Sequence, residues 1–87
     1  MPIFYFDLIN DLEVRDEEGR ELPDVSAARD AAVLEAREMI TEAARQGELD
    51  LNHRIEVRNE EGAVVHVLLY GEAVEIVPVR QPPSRGK

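Results

Sequence analysis

Cysteine and tryptophan are absent from this 87-residue chain, and its only aromatic residues besides histidine are two phenylalanines and two tyrosines. Without cysteine there is no disulfide framework and no thiolate chemistry. The two histidines, His53 and His66, stand apart from each other and from any cysteine, which falls short of the roughly four closely spaced ligands of a zinc site. Glycine is sparse and scattered among turns, so no phosphate-cradling loop is present. Positive charge is scarce: 10 Lys and Arg face 19 Asp and Glu, for a net charge of -9. Such a surface repels a phosphate backbone and argues against nucleic-acid binding, while leaving room for a basic protein partner. No apolar run approaches the roughly 20 residues of a membrane span. The opening MPIFYFDLIND has no basic region of the kind that begins a signal peptide. On these grounds a cytoplasmic protein with no membrane partner is expected. The near-exclusive use of arginine for positive charge suits a GC-rich bacterial genome.

The most organised stretch is DVSAARDAAVLEAREMITEAARQG, Asp24 to Gly47. It is built from strong helix formers and has no internal proline or glycine. Asp24 is the expected N-cap, because its carboxylate can accept an orphan N–H of the first turn; Ser26 is a competing cap. Gly47 suits the left-handed position that ends a helix, with Arg45 in the last turn complementing the dipole. Val25, Ala28, Ala32, Val33, Ala36, Met39, Ile40 and Ala43 recur at helical spacing and form one apolar stripe. Leu34 points almost opposite that stripe. A stripe so rich in alanine lets the helix lie close on its support.

The support is a set of strands. Ile3–Ile9 is β-branched and aromatic with no breaker; Phe4, Phe6 and Leu8 share one face, and Ile3, Tyr5, Asp7 and Ile9 share the other. LEVR at 12–15 begins a second strand. RIEVR at 54–58 and AVVHVLLY at 63–70 form a second hairpin. LEVRDEEG at 12–19 matches IEVRNEEG at 55–62; both end in an Asx residue followed three positions later by glycine, the chemistry of a tight turn. Glu72–Val79 reads as a short helix or an edge strand stopped by Pro78. The order is β-β-α-β-β: an α+β fold with an antiparallel sheet of about four strands and one long helix packed on one face. Residues 1–79 form a single domain, and RQPPSRGK at 80–87 a disordered tail.

With Phe4, Phe6 and Leu8 assigned to the helix side, the other sheet face is expected to carry Tyr5, Ile9, Val64, His66, Leu68 and Tyr70. A water-facing sheet surface normally turns polar. This one stays apolar, so it is expected to be covered, either by the 72–79 segment or by another chain. A homodimer through those six residues is the expected arrangement, and Tyr70→Glu is then expected to turn the dimer into a monomer. No nucleophile–base pair and no pair of carboxylates with separated environments stands out. The chain is therefore read as a non-enzyme with no catalytic, metal or cofactor site. An enzyme would instead need Asp7, His66 and arginine side chains to converge in one pocket.

The opening MPIFYFDL, the element EGRELPD (Glu18 to Asp24), the helix AARDAAVLEAREMITEA and the later RIEVRNEEGAVV together resemble a family of short bacterial proteins, domain-of-unknown-function family 6894. The likeness spans Met1 to about Val77 and implies a shared fold without an activity. Asp7 stands where that family commonly has histidine, and Leu69-Tyr70 replaces a Pro-Phe pair. A lesser similarity is to HicB-type antitoxins, which also pass from a hairpin through a P-D turn into an Ala-rich helix. It implies a partner in the form of a small basic ribonuclease toxin.

Overall fold

The computed structural model describes residues 1–81. One helix, α1 (Val25–Gln46), lies across an antiparallel sheet of β1 (Ile3–Ile9), β2 (Glu13–Val14), β3 (Arg20–Glu21), β4 (Arg54–Arg58) and β5 (Val64–Leu69). Its N-cap is Asp24, extended and accepting the Ala27 N–H at 2.9 Å. Gly47, at φ 90°, ends it with its N–H bonded to the Ala44 carbonyl. Ala28, Ala32 and Ala36 are wholly buried, so the helix backbone rests close on the sheet, and Leu34 is exposed as its position on the helix requires. No helix among the described residues is long and apolar enough to cross a membrane.

The sheet order is β2-β1-β4-β5, and β3 also pairs with β1. β2 and β3 lie end to end on the edge of β1 remote from β4: Leu8 faces Val14, and Phe4 faces Arg20. The two acidic turns therefore share their chemistry but not their topology. Asp16 Oδ1 accepts the N–H groups of Glu18 and Gly19, and Asn59 Oδ1 accepts those of Glu61 and Ala63. Gly19 and Gly62 both hold positive φ, which costs glycine little. Only the second turn joins two strands that pair with each other. The first carries the chain sideways along β1.

The face assignment of β5 is corrected. Ile55 sits opposite Leu68 and Val57 opposite His66. Residues directly opposite share a face, so His66, Leu68 and Tyr70 lie under the helix. Leu68 and Tyr70 belong to the core with Phe4, Phe6, Ile55 and Val57. The outer face carries Val64, Val67 and Leu69 instead. The register shifts between Val57, opposite His66, and Arg58, opposite Val64, so Val65 is an extra residue in a bulge and packs against the core. Nor is the outer face largely apolar. Its rows read Tyr5–Arg58–Val64, Asp7–Glu56–Val67 and Ile9–Arg54–Leu69, with a charged strip down the middle.

Beyond β5 the chain forms neither the edge strand nor the short helix expected for 72–79. It makes one 3-10 turn, Tyr70–Glu72, and buries Ala73 against α1, where the Ala73 carbonyl accepts Arg37 Nε–H at 2.7 Å. Ile76, Val77 and Val79 stay exposed and do not pack on the outer sheet face. Of the tail over 80–87, the part after Gln81 lies outside the described residues.

Candidate functional site

The two edges of the sheet are finished in opposite ways. Along β1, the backbone groups of Phe4, Phe6 and Leu8 point away from β4. β3 pairs with Phe4 and β2 with Leu8, which leaves Phe6 between them. The Asp16 carboxylate fills that gap, accepting the Phe6 N–H at Oδ2 at 3.0 Å. The strands on this edge are two residues each and charged, Glu13, Arg20 and Glu21 among them. Short, charged, interrupted strands are what keeps a sheet edge from pairing with another chain.

Asp7, though it points to the outer face, is 2% exposed. Arg58 grips it with Nε–H on Oδ2 at 2.6 Å and an η-nitrogen on Oδ1 at 3.1 Å, and Oδ1 also accepts the Asp16 N–H at 2.9 Å. The same Arg58 η-nitrogen donates to the Asp16 carbonyl, and the guanidinium stacks 4.9 Å from the centre of the Tyr5 ring. Burial alone would push the Asp7 carboxyl up. The Arg58 and Asp16 hydrogen bonds, with the charges of Arg58 and Arg15, outweigh it and hold the group below the usual carboxylate range. Asp16 follows the same pattern: burial raises it, and the N–H groups of Phe6, Glu18 and Gly19 bring it down further than burial and the Asp7 charge lift it. Gly19 closes the loop against the outer face, where a β-carbon would stand 2.6 Å from Ile3 Cγ2 and 2.9 Å from Tyr5 Cε2. This cluster fastens the 15–19 loop to the sheet.

Two open hollows flank the helix. One, of about 460 Å³, lies between Phe6, Leu8, Val14 and the Arg20–Glu35 ion pair. The other, of about 400 Å³, lies at the C-terminal end of α1 and is rimmed by Asp11, Glu42, Glu48 and Asp50, with His53 and Tyr70 at its floor. His53 Nε2 is 3.5 Å from Asp50 and 3.8 Å from Asp11, and its ring meets Tyr70 edge-on at 5.7 Å. Hydrogen bonds from the Asn52 backbone and side chain, with His53 nearby, lower the Asp50 carboxyl. Burial, followed by the charge of Glu35, raises the Tyr70 hydroxyl. No group of three or more metal-ligating side chains is gathered among the described residues. Asp7 and His66 lie on opposite faces of the sheet, so the convergence that the enzyme alternative needed does not form.

β5 is the other edge. Bulged at Val65, it runs from Val64 to Leu69 as VVHVLL, with no Lys, Arg, Asp or Glu and no proline. Val64, Val67 and Leu69 are exposed at 50%, 43% and 39%. Tyr70 N–H bonds to the His53 carbonyl, which fixes the alternation as far as the register shift: His66, Leu68 and Tyr70 address β4, while Val67 and Leu69 address solvent. One outward group is taken, the Leu69 N–H, by Glu72 Oε1 at 2.9 Å.

The expected interface set is therefore divided. Tyr5, Ile9 and Val64 are on the outer face; His66 is half-buried on the helix face; Leu68 and Tyr70 are core. Val67 and Leu69, assigned from sequence to the helix side, are the exposed pair. Arg58 and Glu72 went unnoticed in the sequence because their partners are set by strand register and by the 3-10 turn.

One family model matches the chain, over residues 3–71, and its description is a domain of unknown function, DUF6894. Neither a curated protein nor a solved structure gives a significant match.

Proposed function

This chain belongs to the DUF6894 family, and from its own geometry we propose that it is a non-enzymatic protein–protein interaction module that self-associates as a homodimer. The observation that carries the reading is the contrast between the sheet edges. The β1 edge is broken, charged and stoppered by Asp16, whereas β5 offers a six-residue uncharged strand flanked by exposed Val64, Val67 and Leu69. A long apolar edge is a template for strand pairing. Two chains of net charge -9 repel each other, but on the β4–β5 face Arg54 is paired with Glu56 and Arg58 with Asp7, so the strip beside this edge carries no excess negative charge.

Val67→Lys tests the reading. The new side chain stands opposite Glu56 in the same sheet, so the fold tolerates it, while each copy brings a cation to the seam. Sedimentation velocity is expected to give a dimer for the wild type and a dissociation constant weakened by about tenfold or more for the variant. A wild type that sediments as a monomer at tens of micromolar overturns the proposal.

A second reading, a HicB-type antitoxin holding a small basic ribonuclease, draws on the acidic rim of Asp11, Glu42, Glu48 and Asp50. It predicts that tagged protein drawn from its host at low salt brings a stoichiometric basic chain, released as ionic strength rises. Recovery of further copies of this chain alone removes that reading.

A further inference from the structure

Of the two hollows beside α1, only one balances its acids. The hollow at Phe6 and Leu8 has Arg15 and Arg20 among its walls. The hollow at the C-terminal end of α1 is lined by Asp11, Glu42, Glu48 and Asp50 and by no lysine or arginine. Those carboxylates come from three segments: the turn after β1, the helix, and the loop that follows the helix. Arg45, in the last helical turn, comes no closer to Glu42 than 3.8 Å and leaves its side chain 75% exposed. The helix end adds its negative pole. The floor is what sets this hollow apart from a solvated acidic surface. Tyr70 is 3% exposed, yet its hydroxyl takes part in no hydrogen bond among the described residues. No side-chain oxygen or nitrogen among them is both unpaired and sealed from solvent. The hydroxyl therefore reaches open space, and the hollow that Tyr70 lines is this one. A polar group so deeply set and unpaired is a place for a ligand atom. We infer that the hollow is a guanidinium subsite: it takes an arginine side chain of a basic protein partner, with the Tyr70 hydroxyl accepting an N–H at the floor and the four carboxylates around it. A guanidinium carries five N–H donors in one plane, which serves acceptors approaching from three segments, and its flat face suits the ring of His53. An ammonium is a compact, strongly hydrated charge with fewer donors. A metal ion fits poorly, since no group of three or more ligating side chains is gathered among the described residues. The hollow is present in one copy alone, so the inference goes beyond the self-association proposed above and does not depend on it.

Tyr70→Phe separates a binding role from a structural one. The hydroxyl makes no bond inside the protein, so removing it costs the fold little, and the urea midpoint is expected to match or exceed that of the wild type. Binding is read from the amide shifts of the isotope-labelled full chain, titrated at low salt with the capped peptide acetyl-Gly-Arg-Gly-amide. Saturable shifts are expected at Asp11, Glu42, Glu48 and His53. The matching lysine peptide is expected to bind more weakly by about fivefold, and the citrulline peptide, which keeps the shape without the charge, not to bind. Tyr70→Phe is expected to weaken the arginine peptide by about fivefold and Glu42→Lys by about tenfold. Glu60→Lys makes the same change of net charge in the turn at the far end of β4 from His53, and is expected to keep the affinity within about twofold of the wild type. The absence of a saturable shift at millimolar peptide overturns the subsite. So does an equal loss in Glu60→Lys and Glu42→Lys, which marks diffuse attraction to a chain of net charge -9. Equal binding of the lysine peptide overturns the preference for guanidinium. Unchanged affinity in Tyr70→Phe, or a lowered urea midpoint, overturns the part given to the hydroxyl. Glu42 is exposed on the helix, so Glu42→Lys tests the rim whether or not Tyr70→Phe folds. None of these outcomes moves the sedimentation result that decides self-association.

Discussion

Arg58→Ala is expected to destabilise the protein by about 3–5 kcal/mol, the range for removing one partner of a buried ion pair. Against a total of about 5–15 kcal/mol for a domain, and the lower part of that range for one this small, the variant should be largely unfolded or close to it at room temperature. The loss does not come from a favourable pair energy as such. Asp7 is 2% exposed, and without Arg58 it keeps one bond, from the Asp16 N–H; a carboxylate so placed has lost its water and most of its partners. The Tyr5 ring loses its cation and the 15–19 loop loses the bond from Arg58 to the Asp16 carbonyl.

The pH dependence identifies the cause. In the wild type Asp7 and Asp16 are held below their ordinary value of 3.8. A carboxyl with a depressed folded-state pKa contributes stability above its unfolded pKa and loses it as pH falls through the folded value. The wild type should therefore weaken below about pH 5 as these two groups take up protons. In Arg58→Ala the main influence lowering Asp7 is gone and burial remains, so protonating Asp7 relieves the variant. The stability gap between the two proteins, from urea melts at pH 7 and pH 4, should narrow at the lower pH. A gap that holds constant with pH would show that the loss is one of packing and not of an uncompensated charge.

Tyr70→Glu, the change that the sequence alone suggests for splitting a dimer, is expected to unfold the chain instead. Tyr70 is 3% exposed, and its ring packs in the core and meets His53 edge-on. Emptying the site of a large aromatic costs about 3–5 kcal/mol, and the glutamate adds a charge with no cation facing it from β4 or β5 at that end. Far-UV circular dichroism should show loss of the helix signal at 25 °C, where Val67→Lys keeps it. A folded, monomeric Tyr70→Glu protein would instead put Tyr70 at an interface and return the β5 face assignment to the one read from the sequence.

Much of the frame is legible in the sequence because it rests on local chemistry. Asp24 and Gly47 bound the helix through their own hydrogen-bonding and backbone preferences, and the alanine stripe names its buried side. IFYFDLI and RIEVR have the observed limits of β1 and β4, and in RIEVR charge alternates with Ile55 and Val57, so its inward face is unambiguous. The turns at Asp16–Gly19 and Asn59–Gly62 follow from an Asx side chain and a glycine at fixed spacing.

What the sequence could not decide is which way VVHVLLY faces. Both of its alternating sets are apolar, so the period of two carries no sign. The sign comes from register: the length of the Asn59–Gly62 turn and the bulge at Val65 set Leu68 beside Ile55, and Ile55 is committed to the helix by its charged neighbours. The same step moved Leu68 and Tyr70 into the core and left Val67 and Leu69 outside. The grip of Arg58 on Asp7 joins residues 51 positions apart, and the capture of Leu69 by Glu72 depends on a 3-10 turn closing after β5. Local preferences determined where the helix and most strands begin and end. Strand register, a property of two segments together, decided which side chains are buried, which charges are paired and which edge of the sheet is left open.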